Sequence, residues 1–238
     1  MDRFPLALVG DRTLTCSRGA SAVPIAEWVL AQMLAFEKHL PDVWIHEPTA
    51  WHSASLGGLA GRTLGLVGLG GIGTAVAERA APFGMRIVAL RRTARPSSVE
   101  GVDTVGSLAE VLGLADHLVL TVPATDATRR LLDAAAFELV KPGVHLVNIA
   151  RGSLIDQDAL RVALDDGRVA VASLDVADPE PLPEGHWLYT HPQVRLSPHI
   201  SWSMPDASSI LVATFVDNLR RYQRGERLEG IVDLEAGY

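Results

Sequence analysis

Apolar residues recur with a helical period near the start of the chain and form shorter runs after residue 60. Over residues 24–39 they lie three and four positions apart, which predicts a helix. Residues 41–61 contain prolines, glycines and two tryptophans without a period, so this segment should be an irregular connection.

Beyond this connection, strand-like and helix-like patterns alternate. Short apolar runs predict strands over residues 63–67, 86–90, 102–105, 117–121, 144–149, 169–174 and 194–196. Helical spacing and capping residues predict helices over 72–83, from 107, over 133–141, over 156–167 and over 206–222. Alternation of this kind predicts an α/β fold, in which a mostly parallel sheet is covered by helices on both faces.

A glycine-rich turn, GLGGIG over residues 68–73, joins the first predicted strand to the helix behind it. Glycines at this spacing permit a tight turn, a close approach of the backbone to a pyrophosphate, and close packing of helix on sheet. The N-terminus of the helix also attracts an anion. The chain is therefore predicted to bind a dinucleotide with Gly68, Gly70, Gly71, Ile72 and Gly73.

The end of the second strand bears on which dinucleotide binds. NAD-preferring domains usually carry Asp or Glu here for the ribose hydroxyls, whereas this strand is followed by Arg91 and Arg92. Two guanidinium groups can hold a 2'-phosphate through charge-assisted hydrogen bonds. We therefore expect NADP, with NAD as the second possibility. The alternative interpretation is a pair of solvated arginines on a surface loop.

Composition narrows the class of partner. The net charge is -7 and there is no run of Lys or Arg, which argues against nucleic acid or an anionic membrane as partner. No stretch approaches the roughly 20 apolar residues of a membrane span, and the N-terminus lacks the apolar region of a signal peptide. The lone Cys16 lacks the companions of a zinc site. We expect a cytoplasmic protein with a small-molecule ligand and no metal.

Three residues of different chemistry, Arg151, Glu180 and His199, each come just after a predicted strand, where open α/β sheets bind ligands. Transfer of a hydride from a dinucleotide to a carbonyl requires a cation to polarise the carbonyl and an acid to protonate the developing alkoxide. Arg151 fits the first role and His199 the second, while Glu180 would favour the protonated imidazole. Taken singly, each could be an ordinary surface or loop residue. Trp202, three residues after His199, should either pack in the interior or border the substrate.

Further motifs follow one another in an order and at a spacing that chance would rarely give. They are 23–27 (VPIAE), 60–65 (AGRTLG), 115–117 (ADH), 123–128 (PATDAT), 147–152 (VNIARG), 174–176 (LDV), 180–182 (EPL) and 197–200 (SPHI). From about Ala20 to its C-terminus, the chain resembles the D-isomer-specific 2-hydroxyacid dehydrogenase family. The resemblance implies a Rossmann-type doubly wound parallel sheet. It also implies an enzyme that interconverts a small 2-oxo acid, such as glyoxylate or hydroxypyruvate, and its D-2-hydroxy acid with NAD(P)H.

The resemblance also implies residue roles. It gives Arg151, Glu180 and His199 the catalytic roles described above. It places Asp175 against the nicotinamide carboxamide, although a strand-end cap is the alternative. Because Gly71 stands where the family often has Arg, backbone amides should bind the pyrophosphate. Further cofactor contacts are expected from Val122, Pro123, Thr128, Ile149 and Ala150.

The resemblance suggests an uneven domain organisation. Residues 20–202 should form the dinucleotide-binding domain, residues 1–19 a truncated remnant of a second, flavodoxin-like substrate domain, and residues 203–238 a C-terminal helix that returns to it. Such an incomplete substrate domain leaves open a nucleotide-binding module with little or no catalysis, like the family's corepressor-like branch. A formate dehydrogenase-like activity is disfavoured because Glu180 replaces the usual Gln partner of the histidine. A homodimer is implied, since the first helix and the loop after it commonly pack against a second subunit.

Overall fold

A parallel sheet forms the centre of the protein. The structure is a computed structural model, and it describes residues 5–51, 53–92, 97 and 99–234. Within these residues seven strands pair in the order β3-β2-β1-β4-β5-β6-β7, all parallel. The strands are β1 Thr63–Val67, β2 Arg86–Leu90, β3 Val102–Val105, β4 His117–Leu120, β5 Val144–Asn148, β6 Val169–Leu174 and β7 Val194–Leu196. This is the predicted doubly wound α/β fold.

Six α-helices accompany the sheet in the part of the chain that the structure describes. They are α1 Ala22–Glu37, α2 Gly71–Ala80, α3 Leu108–Leu114, α4 Ala134–Phe137, α5 Gln157–Asp165 and α6 Ala207–Gln223. Ser107, Asp133 and Asp156 cap α3, α4 and α5 by accepting hydrogen bonds from backbone N–H groups of the first turn, as the sequence predicts.

The predicted bounds of two helices were wrong. The segment expected to be helical over 133–141 is α-helical only to Phe137, because the chain then turns so that Val140 enters the core and the Lys141 N–H donates to Leu112 O at 3.1 Å. The segment expected over 72–83 leaves the α-helix at Ala80 and ends in a 3-10 turn containing Pro82, whose nitrogen has no proton to donate.

Two apolar clusters cover the two faces of the sheet. Alternate residues of β4 point to opposite faces, so Leu118 joins one cluster and Val119 the other. The first cluster includes residues of α3 and α5, and the second includes the inward faces of α1 and α2. The stripe of α1 predicted from the sequence, with Val29 and Met33 fully buried, thus packs within the chain.

The two ends of the described chain meet. Thr15 forms an antiparallel bridge with Ile231, and the Val232 N–H donates to Leu14 O at 2.9 Å. The N-terminal segment 1–19 and the C-terminal segment 203–238, which the sequence analysis assigns to the substrate domain, are therefore in contact. The division of the chain into domains stays a prediction. Residues 1–4 and 235–238 of these segments lie outside the described residues. None of the described helices is both long and apolar enough to cross a membrane.

Candidate active site

The glycine turn lies between β1 and α2, beside the point where the strand order reverses from β1 to β4. Gly68 has φ +105°, and a Cβ there would lie 2.8 Å from Thr121 Oγ1. A Cβ on Gly73 would lie 2.5 Å from Gly68 O, so the helix start and the turn pack too closely for a side chain. Both glycines are therefore required by the geometry of the turn, as the motif predicts.

The outer side of the same turn has room for a ligand. Gly70 and Gly71 are exposed, and a Cβ on Gly70 would meet nothing within 4 Å. Ile72 follows in the first turn of α2, whose first N–H groups have no acceptor within the helix. Such N–H groups attract an anion, and the exposed Gly70 leaves room beside them, so these residues fit the pyrophosphate of a dinucleotide.

Thr121, which the sequence analysis missed, holds the turn in place. Its hydroxyl lies 2.7 Å from Gly68 O and 3.2 Å from Val67 O, so it can donate to either carbonyl. The signal available in the sequence was a hydroxyl residue at the end of the strand predicted over 117–121.

The loop after β4 closes on itself. Thr128 Oγ1 donates to Pro123 O at 2.7 Å and accepts from the Thr125 N–H at 2.8 Å. Val122 is half-buried beside Gly68, and Pro123 is exposed. The threonine hydroxyl thus shapes the loop, while contacts of Val122, Pro123 and Thr128 with a cofactor stay predictions.

Arg91 and Arg92 follow the end of β2, which lies directly beside the glycine turn. Val67 pairs with Leu90 in the register of β1 and β2, and the Gly68 N–H donates to Leu90 O at 3.0 Å. Arg91 is half-buried and Arg92 is exposed. Two positive charges therefore follow β2 at the level of the turn.

Arg151 lies on a tight turn after β5 that Asn148 organises. Asn148 Oδ1 accepts from the Ala150 N–H at 3.1 Å, and its Nδ2 donates to Arg151 O at 2.8 Å. The guanidinium Nη1 donates to Ala150 O at 2.6 Å. Ile149 and Ala150 are buried, so a cofactor could contact them mainly through their backbone atoms. Asn148 was not singled out from the sequence, although an amide at a strand end is typical of such turns.

Gly152 brings this turn against the segment that carries Glu180. A Cβ on Gly152 would lie 2.0 Å from the carbonyl carbon of Ala177. The Ala177 N–H in turn donates to Glu180 Oε1 at 3.0 Å. The Arg151 turn and the Glu180 segment therefore pack directly on one another at the carboxyl edge of the sheet.

Glu180 and His199 are in contact. His199 Nδ1 lies 3.0 Å from Glu180 Oε2, with side chains 38% and 24% exposed. A carboxylate at Nδ1 fixes the orientation of the ring and stabilises an imidazolium. Nε2 is then the nitrogen that can give a proton to a substrate or take one from it. The pairing expected from the sequence is present in the structure, while the catalytic roles remain predictions.

The backbone around His199 is unusual. His199 has φ 58°, in the left-handed region that few residues other than glycine adopt. The Trp202 indole N–H donates to His199 O at 2.8 Å, and this side chain is 42% exposed. Trp202 is therefore next to the histidine loop instead of being buried in the core.

Asp175 is fully buried at the end of β6. Its Oδ1 accepts from the Ser197 hydroxyl at 2.5 Å and the Ile200 N–H at 2.9 Å, and its Oδ2 accepts from the Ser201 N–H at 2.8 Å. The contact with a nicotinamide carboxamide stays a prediction. The sequence analysis included Ser197 in the motif 197–200 but gave it no role. Among the described residues, no group of three His, Cys, Asp or Glu side chains could hold a metal ion.

Comparison with known proteins agrees with this arrangement. The chain is 37% identical over 195 residues to the glyoxylate reductase of Thermococcus gammatolerans, an alignment covering 81% of this chain and 58% of that one. The D-isomer specific 2-hydroxyacid dehydrogenase of Xanthobacter autotrophicus Py2, solved with NADPH and MES, superposes with a TM-score of 0.85 at 30% identity and covers 98% of both chains. The NADPH-dependent glyoxylate/hydroxypyruvate reductase of Sinorhizobium meliloti, solved with NADP and sulfate, gives a TM-score of 0.87 at 28% identity, covering 98% of this chain and 76% of that one.

The chain spans 42 to 59% of the length of three curated relatives that it matches. Residues 30–201 match the NAD binding domain of the D-isomer specific 2-hydroxyacid dehydrogenases. The glycine turn and the Glu180–His199 pair lie within these residues, as the resemblance requires. The chain belongs to the D-isomer specific 2-hydroxyacid dehydrogenase family.

Proposed function

We propose that the protein reduces small 2-oxo acids to D-2-hydroxy acids with NADPH. The observation that carries this proposal is the 3.0 Å contact between His199 Nδ1 and Glu180 Oε2 at the edge of the sheet where Arg151 lies. A histidine oriented by a carboxylate and accompanied by a guanidinium is the set of groups that reduction of a 2-oxo acid needs.

Each side chain then has one role. When bound, the reduced nicotinamide supplies the hydride that is transferred to the carbonyl carbon. Arg151 binds the substrate carboxylate and polarises the carbonyl through its guanidinium. His199 donates the proton on Nε2 to the developing alkoxide, while Glu180 holds Nδ1–H and stabilises the positive ring. Oxidation of the hydroxy acid uses the same groups in reverse.

The supported substrates are small, of the glyoxylate and hydroxypyruvate type. The named activities of the Thermococcus gammatolerans and Sinorhizobium meliloti relatives favour this size class. The test is NADPH oxidation by the chain with glyoxylate, hydroxypyruvate and a bulky aromatic 2-oxo acid, with chiral analysis of the product. We expect saturable turnover of the two small acids and D-hydroxy acid as product. NADPH binding without turnover of any 2-oxo acid would contradict the proposal and favour a nucleotide-binding role.

NADPH is proposed over NADH because of Arg91 and Arg92. The Xanthobacter autotrophicus and Sinorhizobium meliloti relatives, which were solved with NADPH and NADP, support this choice. We expect a lower Kd for NADPH than for NADH, and a loss on the order of 10-fold in NADPH affinity for Arg91→Ala or Arg92→Ala. Arg86→Ala is the matched control, because Arg86 lies at the opposite end of the same strand and pairs with Asp103. Wild-type protein that prefers NADH would refute this part.

A homodimer is also proposed, through α1 and residues 41–61. In that segment Trp44 and Trp51 are 63% and 83% exposed, which is unusual for tryptophan on a monomer surface. Sedimentation velocity should show a dimer that dissociates when both tryptophans are replaced by serine. Wild-type protein that sediments as a monomer at all concentrations would overturn this proposal. The cytoplasmic location stays a prediction of the sequence.

A further inference from the structure

We propose that Asp175 is a positioning residue: its buried carboxylate fixes the loop 197–201 and so orients His199 toward Glu180. The inference deepens the proposed function, and only its kinetic part rests on that function. The structural part concerns hydrogen bonds within the chain, which can be measured without turnover.

The hydrogen bonds of Asp175 surround His199 along the chain. The carboxylate receives the Ser197 hydroxyl on one side of the histidine, and the N–H groups of Ile200 and Ser201 on the other. Hydrogen bonds to an ionised carboxylate are stronger than neutral ones. Ser201 is buried, so its N–H would lack a partner if the carboxylate were removed. The loop is therefore closed around a single charged group.

The conformation of His199 requires such support. A left-handed φ of 58° at a non-glycine residue persists where the surrounding structure over-determines it. The His199 N–H donates to Ser197 O at 3.0 Å, which tightens the same turn. Because Ile200 is the next residue, its bond to Asp175 fixes the peptide plane that follows the histidine. The direction of the imidazole toward Glu180 is a consequence of this turn.

The arrangement needs a carboxylate and not an amide. Asp175 accepts on both of its oxygens, from Ile200 at Oδ1 and from Ser201 at Oδ2. An asparagine has one oxygen and one NH2 group, so in either orientation its NH2 would face a backbone N–H. Asp175→Asn should therefore break the hydrogen bond from one of these two N–H groups, with almost no change in side-chain volume.

The test compares Asp175→Asn and Ser197→Ala with Asp133→Asn. Asp133 makes the matched control because, among the described residues, its carboxylate accepts from a single N–H, that of Ala136 at 2.9 Å, and an asparagine can keep this bond. We expect amide hydrogen exchange at Ile200 and Ser201 to become on the order of 10- to 100-fold faster in Asp175→Asn. The increase should be smaller in Ser197→Ala and absent in Asp133→Asn, with strand β6 amides unchanged in all three.

The His199 ring supplies a second readout. Its 15N shifts should move in Asp175→Asn toward those of Glu180→Gln, because both lose the defined contact at Nδ1. Unchanged exchange at Ile200 and Ser201 in Asp175→Asn overturns the proposal. If Asp175→Asn does not fold, Ser197→Ala decides: exchange at these two amides equal to that in Asp133→Asn overturns it as well.

Kinetics separate positioning from a direct cofactor contact. We expect kcat to fall on the order of 10-fold in Asp175→Asn while the Kd for NADPH stays within about twofold. A weaker NADPH complex with normal loop exchange would overturn positioning and favour the nicotinamide contact. Fast loop exchange in a protein whose wild type turns over no 2-oxo acid would support the positioning role and refute the proposed function.

Discussion

Two histidine–glutamate pairs in this protein have nearly the same geometry in opposite surroundings. His199 Nδ1 lies 3.0 Å from Glu180, and His117 Nε2 lies 3.1 Å from Glu37. The first histidine is 38% exposed at the candidate site, whereas His117 is fully buried and Glu37 is 4% exposed. Burial, and not pair distance, therefore distinguishes them: only the exposed ring can exchange a proton with a substrate.

The buried pair extends into a polar network beneath α1. His117 Nδ1 lies 3.1 Å from His145 Nδ1, and His145 Nε2 lies 3.0 Å from Ser173 Oγ. Two Nδ1 atoms at this distance share one proton, so both rings cannot be protonated together. Burial lowers the pKa of His117 despite the opposing effect of Glu37, and it lowers the pKa of His145 well below its usual value. The network thus joins α1 to three strands.

The largest expected effect is on the exposed pair. His199→Ala should lower kcat on the order of 10²- to 10⁴-fold, because the variant lacks the proposed acid. The free energy of unfolding should change by less than about 1 kcal/mol, since the side chain is 38% exposed. Steady-state kinetics and urea unfolding of the same preparation measure both quantities.

His191→Ala is the control for this variant. His191 Nε2 also lies 3.3 Å from a carboxylate, that of Asp165, but it precedes β7 instead of following it. The variant should keep the wild-type kcat. A near wild-type kcat in His199→Ala would refute the assignment of the acid.

Removing the buried carboxylate should have the opposite profile. Glu37→Ala leaves the N–H of His117 buried without a partner, and we expect a loss of about 2–4 kcal/mol in the free energy of unfolding. The kcat of the protein that remains folded should be unchanged. Glu180→Ala should instead lower kcat about 10-fold, with a stability change below about 1 kcal/mol. Equal stability losses in the two variants would remove the distinction between the pairs.

The exposed pair could be anticipated from the sequence and the buried pair could not. Glu180 and His199 each follow an apolar run, so the rule that parallel strands end at one edge brings them together without knowledge of the register. The glycine turn could also be predicted without the register, because its residues are consecutive in the sequence. His117 and His145 belong to two predicted strands and are 28 residues apart, and their contact depends on β4 and β5 being neighbours in one register. Local periodicity does not encode that pairing.

The same limit explains the smaller errors. The early end of α4 depends on where Val140 packs, and the three bonds of Asp175 depend on the path of a loop more than 20 residues further along the chain. The seven strands and the long helices were predicted because their periodicity is set by burial alone. Features that depend on contacts distant in sequence required the structure.

The pH dependence of stability should report the buried network. The folded-state pKa values of His117 and His145 lie below their unfolded values, so below about pH 6.5 the unfolded chain takes up protons that the native protein does not. The free energy of unfolding therefore keeps its full value above about pH 6.5. At lower pH it should decrease by about 1.4 kcal/mol per pH unit for each histidine that stays neutral in the native protein. Urea unfolding between about pH 7.5 and pH 5.5 measures this slope.

His117→Gln sharpens the test, because an amide offers both a donor for Glu37 and an acceptor for His145 while it does not titrate. The change in its free energy of unfolding per pH unit should be smaller than that of wild type by the contribution of one histidine. His191→Ala is the control, because it leaves both buried rings in place. If His117→Gln and His191→Ala lose stability equally on acidification, the buried rings are not the source of the pH dependence.

The smallest expected effect concerns the arginine at the edge of the buried pair. Arg62 Nε lies 3.3 Å from Glu37 Oε1, and its side chain is 47% exposed. Solvent and salt screen such a contact, so Arg62→Ala should cost less than about 1 kcal/mol and the loss should shrink at high salt. Urea unfolding at low and high ionic strength measures both. A loss comparable to that of Glu37→Ala would mean that Arg62, and not His117, is the main partner of the buried carboxylate. In that case the buried His117–Glu37 pair would not be the counterpart of the His199–Glu180 pair, because Glu37 would be held mainly by Arg62.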